Sequence, residues 1–226
     1  TYGANGFLLE FKDLTDLGKD TSGNGNDWTS TGFVSSDFVS DSPHNTFATL
    51  NPLVISNSTL SDGNLKIVIP NALTNNVLST IEFPNEGKWF FEVLYLSYLH
   101  HNSGILNSST NTTYTVYQDG FYTNSANPTT LSANTYSASS DSVIGFLLDF
   151  GSAQATVTIY LNGSLVGGPY NIDSGKYFAS FNDGASATGG TQIVNFGQDH
   201  TLGGYPNSLA SSSGYTDANS IGQFYY

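Results

Sequence analysis

The sequence predicts an all-β protein built as an antiparallel β-sandwich, and three observations predict it. Apolar residues alternate with polar ones over short runs, no segment sustains helical periodicity, and turn-forming residues recur between the runs. Aromatics make up 14 % of the 226 residues, mostly as fifteen Phe and fourteen Tyr, and such side chains suit pleated, half-buried strands. The length fits one domain over residues 1–226 with a proper core. About a dozen short strands at regular spacing then favour two packed layers.

Taken in order, Phe7, Leu9 and Phe11 alternate with Leu8 and Glu10, which predicts a strand with one buried face. It runs into the turn-dense stretch 20–27, whose two Gly and two Asn tolerate positive φ. Trp28 and Phe33 are expected to return toward a core. Leu65, Ile67 and Ile69 alternate up to Pro70-Asn71, and Ile81 with Phe83 forms another short strand. The strongest strand is 88–96, where Trp89, Phe91, Val93 and Tyr95 share one face and Phe90, Leu94 and Leu96 the other. Both faces are expected to be covered, with Trp89 and Phe91 buried against Val157 and Ile159. Residues 97–141 read as polar and broken, with strand-like fragments at 114–117 and 121–122 joined by a hairpin on Asp119-Gly120. The near-continuous apolar run 143–150 predicts a strand buried on both sides. Residues 156–161 alternate up to the hairpin signal Asn162-Gly163. Late strands are expected at 177–181 and 193–196, and the tail 202–226 has little pattern beyond Ile221 and Phe224.

Composition excludes several classes. The formal net charge is −13 and all five cationic side chains are Lys, so a phosphate backbone would be repelled and no nucleic acid is expected as partner. No run approaches the roughly 18 apolar residues of a membrane span, so no membrane insertion is expected. With no Cys there are no disulfides, thiolate metal sites or cysteine nucleophiles. There is no Met, and a chain opening at Thr1 is expected to be an excerpt of a longer protein.

Candidate chemistry is sparse. Hydrolysis on such a sandwich needs two facing carboxylates about 5 Å apart or more. The four glutamates, Glu10, Glu82, Glu86 and Glu92, offer no second acid two or four residues away within an apolar strand. Glu92 reads as a buried hydrogen-bond acceptor or a catalytic acid, the former favoured. His100 and His101 are adjacent, so on a strand they diverge, and they read as solvated loop residues. No Ser sits in a nucleophile elbow. No catalytic residue and no cofactor is therefore expected, with one metal alternative. Asp20, Asn24, Asn26 and Asp27, with Asp13 and Asp16 nearby, could offer hard oxygens to Ca²⁺, or could simply form Asx turns. Tyr114, Tyr117, Phe121, Tyr122 and Tyr136 are candidate ligand-binding residues, since exposed aromatics suit sugar rings or protein partners. The other reading of these alternating aromatics is that they fill a sandwich face.

At Gly87-Lys-Trp-Phe-Phe-Glu-Val93 the chain resembles the core strand of SPRY domains, which are concanavalin-like jelly rolls. Further matches follow in order: Tyr117-Gln-Asp-Gly120, Asp141-Ser-Val-Ile-Gly145 with Leu148-Asp149, Val157-Thr-Ile-Tyr-Leu-Asn-Gly163, Tyr177-Phe-Ala-Ser-Phe181 and Asn195-Phe-Gly197. The resemblance covers roughly residues 65–198. Ser142 stands where the family commonly has Asp, and 151–156 lacks the usual charged turn. The flanks, Gly6-Phe-Leu-Leu-Glu-Phe11, Leu17-Gly18 with 20–27, Phe47-Ala-Thr-Leu-Asn-Pro52, Asn195-Phe-Gly-Gln-Asp199 and Thr216-Asp-Ala-Asn219 before Phe224-Tyr-Tyr226, look like SPRY-bearing proteins of tailed phages and other aquatic viruses. The resemblance implies a non-catalytic tail-fibre or virion surface module, extracellular, that recognises a host receptor protein or glycan. Its partners would be other virion proteins, same-chain neighbours or a second copy of itself. The alternatives are a purely structural capsid or tail component and a carbohydrate-active enzyme. The polar region 97–141 and the loop 183–190 are the segments expected to face a partner.

Overall fold

The computed structural model describes residues 2–11, 13, 15–33, 46–55, 57–70, 76–97, 101–117, 120–124, 129–132, 139–151, 153–183, 189–204 and 215–225. In chain order the strands are β1 (Thr59–Ser61), β2 (Lys66–Ile69), β3 (Val77–Leu78), β4 (Lys88–Ser97), β5 (His101–Asn107), β6 (Thr112–Tyr117), β7 (Gly120–Asn124) and β8 (Thr129–Ser132). They continue as β9 (Ser142–Asp149), β10 (Thr156–Leu161), β11 (Ser164–Asn171), β12 (Tyr177–Asp183), β13 (Gly190–Asn195), β14 (Tyr215–Thr216) and β15 (Gln223–Phe224). A seven-stranded sheet runs β1-β2-β13-β4-β9-β10-β11 and a six-stranded sheet runs β3-β12-β5-β6-β7-β8. Every pairing among the described strands is antiparallel. The two sheets pack face to face, as the sequence predicts.

Side chains alternate across a strand, so residues directly opposite in the register share a face. Phe91 lies opposite Phe146, and Phe146 opposite Ile159, which makes one apolar row across three strands. The Phe91 and Phe146 rings stack at 4.7 Å with an interplanar angle of 9°. Phe83, bridged to Tyr177, stacks on Phe91 from the other layer at 5.6 Å. Phe121 of β7 likewise meets Tyr170 of β11 at 5.4 Å across the sandwich. Val93, Tyr95, Ile144, Val157, Ile159, Tyr177 and Phe181 complete a continuous core, all fully buried.

The hairpins follow their local chemistry. Leu161 pairs with Ser164 across Asn162-Gly163, where φ values of 47° and 78° suit a residue without a large side chain and an Asn. Asn162 Oδ1 also accepts the Val143 N–H at 2.8 Å, which ties this turn to the start of β9. Tyr117 pairs with Gly120, so the β6–β7 connection is Gln118-Asp119, one residue earlier than expected, and those two residues lie outside the described ones.

Several expectations are corrected. Trp89 shares the row of Leu148 and Val157 but remains 38 % exposed. It stands near the end of β4, where its indole N–H needs a partner and donates to the Glu86 carbonyl at 2.8 Å. That bond holds the ring at the sheet's margin. The stretch 97–141 is not a broken polar region, because β5 to β8 supply four of the six strands of one sheet. Ile81 lies outside any strand and is exposed, while Phe83 makes only an isolated bridge. The tail carries β14 and β15.

By its internal contacts the chain groups into two compact units, Thr1–Phe38 and Val39–Tyr226. The sandwich lies wholly in the second. Among its described residues the first forms no strand with a buried face: Leu9 makes an isolated bridge to Asp20, and Phe7 and Phe11 stay exposed. Trp28 and Phe33 are exposed as well, and Trp28 instead meets Phe7 at 5.0 Å. Polar turn bonds, described below, hold this unit together.

The packing ranks two aromatic positions of β4. Phe91→Ala empties the centre of the core and is expected to cost about 3–5 kcal/mol, whereas Trp89→Ala at the margin is expected to cost about 1–2 kcal/mol. Urea unfolding of the two variants checks the order, and equal losses would contradict this placement of Trp89.

Candidate functional site

Of the five candidate aromatics, two are part of the core. Tyr114 is buried, its hydroxyl accepts the Asp173 N–H at 3.0 Å, and its ring meets Tyr177 at 6.2 Å. Phe121 is fully buried against Tyr170. Period-two alternation is the reason: Tyr114 and Val116 of β6 face inward with Thr123 and Phe121 of β7, their register partners. The contacts of Tyr114 and Phe121 are those of core packing. Tyr117 and Tyr122 sit on β6 and β7, opposite Gly120 and Thr115 in register, and Tyr136 lies outside the described residues.

The topology gathers a different set of groups. Asp183 pairs with His101, and Thr191 with Ser97, so the end of β12, the start of β5, the start of β13 and the end of β4 lie at one end of the sandwich. Ser142, opposite Tyr95, puts the start of β9 there too. His101 thus opens a strand, and His100 lies outside the described residues. Near these strand ends several neutral side chains carry buried atoms that lack hydrogen-bond partners: Asn102 Oδ1, Ser180 Oγ, Asn182 Oδ1 and both amide atoms of Gln192. Asn182 is opposite Asn102, Ser180 is opposite Gly104, and Gln192 is opposite Tyr95. Tyr95 in turn hydrogen-bonds Ser103 across the layers. Each buried polar atom left unpaired costs about 1–3 kcal/mol, so this end is less favourably packed than the aromatic centre. Sequence reading misses the set because Asn, Ser and Gln scattered over three strands share no motif and meet only through the register.

The acidic stretch 20–27 is organised by its own backbone. Asp20 Oδ1 accepts the N–H groups of Leu8 and Ser22 at 2.9 and 2.8 Å. Its Oδ2 accepts the Ser22 hydroxyl and the Asn26 N–H at 2.8 and 2.9 Å. The Ser22 hydroxyl, and then those backbone donors, hold the Asp20 carboxyl well below the usual carboxylate range against the opposing effect of desolvation. Asp27 Oδ1 accepts the Asp20 N–H at 2.9 Å. The Asn24 and Asn26 amides turn their N–H₂ donors, not their oxygens, toward the carbonyls of Gly3, Ala4 and Gly6. Asp13 caps Thr15. The contacts of this stretch are those of Asx turns, with four donors around Asp20.

Glu92 is fully buried on the face of β4 turned away from the six-stranded sheet. Its Oε1 accepts the Asn195 amide at 2.8 Å and the Tyr225 N–H at 2.7 Å, while Oε2 has no partner. Burial pushes its carboxyl up to about 7, with the Tyr225 and Asn195 bonds acting in the opposite sense. Gly145 is opposite Glu92, and a Cβ there would come within 2.8 Å of the Phe90 ring. The acceptor role expected for Glu92 is the one its contacts describe.

Two antiparallel sheets in this order define a β-sandwich of the SPRY type. The chain is similar to the SPRY domain of human HERC1, with a TM-score of 0.50 and 13 % identity over 64 % of this chain and 96 % of that one. That likeness is one of fold. No family model matches the chain, and neither does any curated protein.

The turn network of the first unit makes a direct prediction. Asp20→Ala is expected to abolish hydrogen-exchange protection at Leu8, Ser22 and Asn26, while a chelator such as EDTA leaves the parent's protection unchanged. Loss of protection on chelation would reinstate a bound cation.

Proposed function

We propose that this chain is a non-catalytic recognition module of a virion surface or tail-fibre protein, which binds a host receptor protein or glycan at one end of its sandwich. The observation that carries the reading is the gathering of strand ends at Ser97, His101, Ser142, Asp183 and Gly190, with Asn102 Oδ1, Ser180 Oγ, Asn182 Oδ1 and the Gln192 amide buried without partners beside them. Rigid strands fix the ends of the connecting segments, and binding residues concentrate on such segments. Both stretches singled out in the sequence, 97–141 and 183–190, start or finish there. The viral, extracellular setting rests on the resemblance of the flanking motifs to virion proteins.

With a formal charge of −13, contact with a host surface relies on aromatic stacking and neutral hydrogen bonds, so it depends weakly on salt unless the partner is basic.

The test exchanges segments 98–100, 133–141 and 184–189 together for short Gly-Ser turns and compares the parent with the variant. Adsorption to host cells is expected to fall by about tenfold or more, the loss of ~1.4 kcal/mol of binding, with incorporation into particles unchanged. Normal adsorption with failed incorporation would make the chain a structural virion component. No change in either would place the functional surface elsewhere.

A further inference from the structure

The second face of β4 is covered by the chain's own C-terminal segment. Gln223 N–H donates to the Gly197 carbonyl at 2.8 Å, and the Asn195 amide donates to the Gln223 carbonyl at 2.9 Å. Phe224 meets Phe90 edge-on at 4.9 Å, and Tyr225 joins Leu94, Val143, Ile193 and Leu202 in a small apolar cluster. Between these contacts the Tyr225 N–H ends on Glu92, whose one oxygen also holds Asn195. A glutamine at this position would accept the same two bonds through its carbonyl and would never titrate. The carboxyl supplies no additional bond, for its second oxygen is buried without a partner.

We propose that Glu92 is a pH-sensitive clasp for the C-terminal segment: protonated, it keeps residues 223–225 on the seven-stranded sheet, and ionised, it favours their release. An ionised carboxylate there is desolvated, with one oxygen lacking any donor, and water reaches it only when Tyr225 lifts. Among the described residues no charged side chain faces it. The facing positions are Gly145 on β9, Asn195 on β13 and Tyr225 on the segment itself. Asp199 is held by Thr201 and Gly203, and Asp217 by Asn219 and Ile221. Lys88, on the same strand, is paired with Asp149. His200 Nδ1 contacts Gln223 Oε1 at 3.2 Å.

The sign follows from linkage. The closed form holds its proton up to about pH 7, whereas a solvated Glu titrates near 4.5. Closure is therefore strongest below the solvated value, weakens by up to about tenfold per pH unit through the window between the two, and levels off above it.

The experiment is hydrogen exchange on the whole chain between about pH 5 and pH 8, with each rate referred to the intrinsic rate of its amide. Protection at Gln223 and Tyr225 is expected to fall up to about tenfold per unit as pH rises toward 7, then level off, while Phe146 and Ile159 in the core keep theirs. Glu92→Gln is expected to make the two segment amides insensitive to pH, and His200→Asn to leave their dependence intact. Constant protection at the segment in the parent would overturn the clasp. So would a parallel decline in the core, an unchanged dependence in Glu92→Gln, or its loss in His200→Asn. Should Glu92→Gln not fold, the contrast between segment and core amides in the parent decides by itself.

Discussion

From Phe91 to Tyr95 β4 is buried on both faces, and the sandwich is organised around the two unlike demands this creates. Its inward face carries Phe91, Val93 and Tyr95 into the shared core, where the Phe91 and Phe146 rings stack. Its outward face carries Phe90, Glu92 and Leu94, and a flat sheet would expose these to water. The chain meets the second demand by returning at residues 215–225 to cover them. A strand with a purely polar outer face would need no such cover. The order of the seven-stranded sheet, with β4 fourth of seven, follows from the need to flank this strand by β9 and β13.

Energetically the molecule is uneven along its length. The centre is filled by aromatic rows whose rings meet at 4.7 to 5.9 Å, and such packing is both close and specific. One end instead buries neutral polar atoms without partners, and the outer layer buries a carboxyl with half its acceptors unused. Neither place gains stability from these groups. Their location, at the ends of strands and beneath a terminal segment, coincides with the parts of the fold best placed to contact something else or to move.

The first 38 residues follow other rules. Their apolar side chains predict a strand with a buried face, yet the unit is held by Asp20 and by the Asn24 and Asn26 amides, which together bind six different backbone donors and acceptors, those of Gly3, Ala4, Gly6, Leu8, Ser22 and Asn26. Alternation of Phe7, Leu9 and Phe11 is local information, and a strand requires a paired neighbour that the sequence does not name.

What the sequence by itself determined is the set of strands whose apolar period is strong: β2, β4, β9, β10, β12 and β13, the Asn162-Gly163 hairpin, and through them the sandwich. These depend on interactions within a few residues, which a linear pattern records. Only the tertiary structure decided which aromatics face inward. Tyr114 and Phe121 became core and Trp89 became marginal, because facing depends on register and on distance from the end of a sheet. The same holds for the candidate site. Asn102 meets Asn182, and Glu92 meets Asn195 and Tyr225, across separations of 80 to 133 residues. Polar residues carry no periodic signal of their own, so their meeting is fixed only when distant strands pair.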